Sequence, residues 1–99
     1  MSQWLYVMMI EKTKTYNKLN KAAVVNHVEN LQKLDDDGKL ELCGPFKGYP
    51  GVAGMVVLRA DSYEEAEALC KAEPLVMGGY ATFKLHALQV ANKENGYLL

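Results

Sequence analysis

Seven consecutive apolar residues, Trp4 to Ile10, run up to the charged pair Glu11-Lys12. A run of this length with Trp, Tyr, Val and Ile in it reads as a strand. Spanning a bilayer as a helix takes roughly 20 apolar residues, so the run is too short for that. Its two alternating sets, Trp4/Tyr6/Met8/Ile10 and Leu5/Val7/Met9, are both apolar. A strand with two apolar faces must be covered on both sides. Met55 to Leu58 has the same character. These two segments constrain the fold more than anything else in the chain, because both must sit in the middle of a sheet.

The rest of the chain supplies the neighbours. Asn17 to Asp36 carries Val24, Val28 and Leu31 at helical spacing, widened by Ala23 and Leu34, with Asn17 or Asn20 as N-cap and Gly38 as the stop. Leu40 to Phe46 reads as a strand in which Leu40 and Leu42 share one face and Lys39 and Glu41 the other. Gly48, Pro50, Gly51 and Gly54 mark the following turn region. Ser62-Tyr63-Glu64-Glu65 is a capping box that opens a helix to about Ala72, with Tyr63, Ala66, Leu69 and Cys70 turned inward. Tyr80 to Val90 is a last strand, alternating Thr82, Lys84 and His86 with Ala81, Phe83 and Leu85. Residues 91–99 carry no clear pattern.

The order is therefore βαββαβ in one α+β domain. Right-handed crossovers turn two βαβ units into a ferredoxin-like antiparallel sheet in the order 4-1-3-2. The doubly apolar strands are then central, and the strands with polar faces lie at the edges. Both helices fall on one face. The other face would leave parts of Trp4, Tyr6, Met8 and Met55–Leu58 bare, which points to a face-to-face homodimer. A domain of 99 residues buries only about two-thirds of its unfolded surface, so added burial is valuable.

Composition removes several function classes. The net charge is -1, with Arg59 the sole arginine. Neither nucleic acid nor an anionic membrane has an electrostatic claim on such a chain. Cys43 and Cys70 form no CxxC and no metal-ligand spacing with either histidine, so two buried reduced thiols are expected. GxGxxG, P-loop, HExxH and GxSxG motifs are absent. Met55–Arg59 lacks the aromatics with which an RNA-recognition sheet stacks bases. The loop after strand 1 lacks the phosphate-cradling arginine of an acylphosphatase. The chain opens at Met1-Ser2-Gln3-Trp4 without a basic stretch or cleavage pattern, and a cytoplasmic location is expected.

His27 is the residue with the most chemical potential. On a helical wheel it falls between Leu31 and Leu34, on the inward stripe. A histidine there is either a packed core residue or a general acid/base, since imidazole titrates near neutrality. Glu73 is the candidate carboxylate partner; directly before Pro74, its backbone is biased to extended conformations. Its plainer role is a solvated helix end. Gly44-Pro45-Phe46 ends a strand, or walls a pocket that Tyr80 and Tyr6 would line. His86 falls on the polar face of its strand.

Together these segments resemble the YCII-related family. The matching pieces are Leu5-Tyr6-Val7, His27, Asp37-Gly38-Lys39-Leu40, Cys43-Gly44-Pro45, the Ser62/Glu65/Ala66 helix start, Glu73-Pro74 and Gly79-Tyr80, over roughly residues 4 to 90. The resemblance implies a dimeric α+β barrel of ferredoxin-like protomers and an active site centred on a histidine–aspartate pair. The histidine falls on His27. The aspartate falls on Glu73, a departure that adds one methylene. Some relatives look like cofactor-free lyases or dehalogenating enzymes acting on small ring compounds. The expected function is thus a cofactor-independent lyase, dehalogenase or isomerase, free of metal, with His27 and Glu73 as catalytic pair for general acid/base chemistry on a small polar or aromatic substrate. The alternative is a non-catalytic small-molecule-binding or interaction domain on the same dimer fold.

Overall fold

A computed structural model describes residues 3–99; Met1 and Ser2, part of the stretch read for a targeting signal, lie outside them. The strands are β1 (Trp4–Lys12), β2 (Leu40–Pro45), β3 (Val52–Leu58) and β4 (Ala81–Gln89). The helices are α1 (Lys21–Asp36), α2 (Tyr63–Lys71) and the four-residue α3 (Pro74–Met77). Short 3-10 turns occupy Tyr16–Lys18 and Lys93–Leu98. The sheet order is β2-β3-β1-β4 and every adjacent pair is antiparallel. Counted from the other edge this is 4-1-3-2, the ferredoxin-like arrangement that the strand polarity predicts. No helix among the described residues is long and apolar enough to cross a membrane.

The core lies between the sheet and the helices. Tyr6, Met8 and Ile10 of β1 and Val56 and Leu58 of β3 meet Leu34 of α1, Ala66 and Cys70 of α2 and Leu75 of α3. Met8 and Leu58 are almost wholly enclosed, each worth about 1.5–3 kcal/mol relative to exposure. Tyr6 and Met8 therefore belong to the helix-facing set. The set of β1 that looks away from the helices is Leu5, Val7 and Met9, half-buried in the protomer. The expectation that Tyr6 and Met8 would help form the bare face is corrected by this phase.

Asn20 is the N-cap of α1, its side chain accepting from the Ala23 N–H at 2.8 Å. Gly38 closes the end at φ +73°, open to glycine without strain. The inner stripe of α1 is narrower than its periodicity implies. Leu34 is buried and Leu31 packs against the core, while Val24 and Val28 stay exposed. Ser62 caps α2 by accepting from the Glu65 N–H. Tyr63, expected inside, sits at the rim of that helix, 40% exposed, edge-on to Tyr6. The tail is ordered by a reciprocal Asn92–Asn95 capping box, which its sequence did not announce.

Strand β2 departs from simple alternation. Leu40 pairs with Leu58 but Leu42 with Val57, so two steps on β2 match one on β3 and Glu41 is the bulged residue. Leu40 and Leu42 thus face opposite sides, contrary to the alternating pattern. Beyond the bulge Cys43 pairs with Val56, which puts its side chain on the helix side.

Candidate active site

His27 stands on the inner face of α1, with a side chain 20% exposed. Its Nδ1–H donates to Oε1 of Glu73. Glu73 lies in the segment that joins α2 to α3. It follows α2 directly and is the N-cap of α3, with Pro74 at the first helical position, where a missing N–H costs nothing. The side chain bends back so that Oε2 accepts from the Leu75 N–H. Glu73 is 2% exposed, the one buried charged residue among those described. Both of its oxygens are engaged, which makes the burial tolerable. The segment is pinned further by the Tyr80 N–H, which donates to the Leu75 carbonyl at 2.9 Å.

The imidazole forms part of the wall of a cavity of about 390 Å³ between α1 and the β2–β3 end of the sheet. Ile10, Val56, Leu31 and Leu75 supply apolar walls. Gly44, Pro45 and Gly54 form the sheet side. Gly54 is required there: a Cβ would strike the Gly44 carbonyl oxygen and come within 2.9 Å of Pro45 Cα. Tyr16 and Leu19, from the loop between β1 and α1, complete the enclosure. That loop is tied down by Thr13 and Thr15, whose hydroxyls each donate to the Gly79 carbonyl at 2.8 Å. With Nδ1 committed to Glu73, Nε2 is the ring nitrogen left to meet a molecule in the cavity. The arrangement is that of an imidazole oriented by a carboxylate.

Of the residues that sequence reasoning singled out, His27 and Glu73 are in contact, and Gly44 and Pro45 line the same cavity. Four others lie elsewhere. Tyr6 is buried against Tyr63 on the α2 side of the core. Phe46 turns away past the strand end, its ring stacked at a tilt on Tyr49. Tyr80 lays its ring over Gly78, where a Cβ would meet it at 2.9 Å. His86 is exposed on the outer face, opposite Val7. Cys43 is exposed rather than buried, and it lines the cavity. Cys70 is the enclosed thiol; burial, with the Glu67 and Glu73 carboxylates adding to it, pushes it up to about 12. Sequence reasoning missed Tyr16, Leu19, Gly54 and the cavity side of Cys43. The threonines flanking Lys14 were the available signal for an ordered loop; nothing local marks the bulge that turns Cys43 inward.

The model of the YCII-related domain matches residues 4–86 of this sequence. The chain belongs to the YCII-related family. It is 37% identical over 76 residues to the uncharacterized protein YjpA of Bacillus subtilis, covering 77% of this chain and 84% of that protein. Among solved structures, this YCII-related chain is similar to 5-chloro-2-hydroxyhydroquinone dehydrochlorinase (TftG) from Burkholderia phenoliruptrix in complex with 2,5-dihydroxybenzoquinone. The TM-score is 0.73 over 91% of this chain and 97% of the other, at 14% sequence identity. That likeness shows a shared fold.

Proposed function

We propose that this YCII-related protein is a cofactor-independent enzyme of the lyase, dehalogenase or isomerase type, acting on a small ring compound. The observation that carries the proposal is the His27–Glu73 contact at the wall of a cavity. His27 Nε2 takes a proton from a carbon or hydroxyl of the substrate, and Glu73 holds the imidazolium that results. The electron pair left behind moves into an adjacent carbonyl or ring. An elimination then expels a leaving group as an anion, and the proton passes to solvent. An isomerisation returns the proton to a different carbon. Gly44 and Pro45 wall the substrate in. A dehydrochlorinase with the same fold supports the elimination branch.

The active form in this proposal is a homodimer joined through the outer sheet faces, and its setting is the cytoplasm. An apolar stripe of Leu5, Val7 and Met9 continues across β3 through Met55 and Val57, and a second copy would cover it. The two thiols, neither in a disulfide, fit a reducing compartment. A non-catalytic binding domain would be favoured if the extra methylene of Glu73 relative to aspartate kept its carboxylate from the imidazole. The side chain spans that length and still meets the imidazole, which favours the enzyme.

The test is twofold. Chlorinated and hydroxylated quinols are offered as substrates, and halide release is followed for the wild type and for His27→Ala. The His27 ring is also titrated by NMR in the wild type and in Glu73→Gln. Release that depends on His27, and a titration midpoint that moves with Glu73→Gln, support the proposal. Full activity in His27→Ala refutes it.

A further inference from the structure

We infer that the cavity discriminates by charge, admitting uncharged ring compounds and rejecting anionic ones of the same shape. This deepens the proposed base chemistry and rests on it for the identity of the reacting proton. No lysine, arginine, aspartate or glutamate lines the cavity among the described residues. Side-chain polar groups come from His27, Tyr16 and Cys43 alone. Lys12 comes near this wall, but its Nζ rests 5.1 Å above the centre of the Tyr16 ring and does not line the cavity. An entering anion would give up part of its hydration and find no lysine or arginine to replace it. It would also meet the Glu73 carboxylate through the imidazole, and both of that carboxylate's oxygens are already acceptors inside the protein.

The same count governs the reaction. A neutral substrate that loses a proton to Nε2 leaves an anion beside an imidazolium, so the cavity contents stay neutral overall. A substrate that enters as an anion would become a dianion beside that single imidazolium, with Glu73 behind it. Proton abstraction here therefore needs a neutral acid, such as a carbon acid next to a carbonyl or an un-ionised phenol.

Nitrobenzene and benzoate are planar and nearly the same shape, and they differ in charge. Their binding to the wild-type protein at pH 8.5 can be followed by the methyl resonances of Leu31 and Val24. Nitrobenzene is expected to bind at least about ten-fold more tightly. Leu31→Lys, which brings a cation to the wall, is expected to narrow or invert that ratio. Benzoate binding as tightly as nitrobenzene, or neither compound shifting the cavity resonances, overturns the inference. The measurement does not use turnover. Loss of the charge preference thus leaves the base assignment to its own test, and full activity in His27→Ala leaves the measured preference in place.

Discussion

The imidazole of His27 and the carboxylate of Glu73 are 46 residues apart in the chain and in contact in the fold. The contact joins α1 to the N-terminus of α3, so it is structural as well as chemical. Removing either side leaves the other with an unmet polar group. His27→Ala is expected to lower stability by about 1–3 kcal/mol, the cost of an unsatisfied buried acceptor. For the proposed reaction it is also expected to reduce turnover by about 10²–10⁴-fold, the usual range for losing a general base. Urea denaturation and initial rates measure the two separately.

Gly54→Ala places a methyl against the backbone of Gly44 and Pro45. The end of β2 must move to admit it. A loss of about 1–3 kcal/mol is expected, as for other overpacked sites, together with weaker binding of any cavity ligand. Chemical denaturation and ligand titration of the same variant check both.

The two thiols should separate cleanly under alkylation. Cys43 is exposed at the cavity, whereas Cys70 is enclosed and its thiol is pushed up to about 12. Iodoacetamide at pH 8 is expected to label Cys43 alone in the native protein and both cysteines in denaturant. A ligand in the cavity is expected to slow the labelling of Cys43. Mass spectrometry of the peptides reads each outcome.

Lys39, just before β2, and Glu65 of α2 form an ion pair at 2.7 Å. The hydrogen bond from Lys39 and its positive charge hold the Glu65 carboxyl below its ordinary 4.5. The Glu65 carboxylate holds Lys39 above its ordinary 10.5. The Glu65 contribution is present above pH 4.5 and fades as pH falls through its lowered value. The Lys39 contribution is present below pH 10.5 and fades as pH rises through its raised one. The gap in melting temperature between wild type and Lys39→Met should be widest between these limits and close as pH falls below the lowered Glu65 value. It should also shrink with added salt, since both groups are exposed to solvent.

Val7→Asp puts a charge in the centre of the outer apolar stripe, opposite Val57. Sedimentation equilibrium is expected to find a dimer for the wild type and a monomer for the variant, with the fold intact by circular dichroism. A wild-type monomer at micromolar concentration refutes the dimer.

The sheet order was legible because Trp4–Ile10 of β1 and Met55–Leu58 of β3 are apolar at every position and can only be central. The asparagine N-cap and Gly38 placed α1, and the Ser62–Glu65 capping box placed α2, for the same local reasons. What escaped was set by register and by distance. Whether Tyr6 or Val7 faces the helices is a one-residue choice that two apolar faces leave open. Pro74 announced a boundary, but the single-turn α3 it begins is shorter than any periodicity. The direction of the Tyr80 and Phe46 rings depends on packing partners, Gly78 and Tyr49, within loops. His27 and Glu73 were recognisable as residues of the right type; that they touch is a product of the crossover geometry.

The bulge at Glu41 separates Leu40 from Cys43 by an odd number of residues, yet both side chains end on the helix side. Deleting that one residue would return β2 to plain alternation and leave Leu42 opposite Val57 and Cys43 opposite Val56. Flattening the bulge with Glu41 retained would instead turn the strand beyond it inside out, with Leu42 at the wall and Cys43 facing away from it. The lining of the cavity is therefore written partly in the register of β2, and a shift of pairing at this one point exchanges one lining for another without substituting any residue.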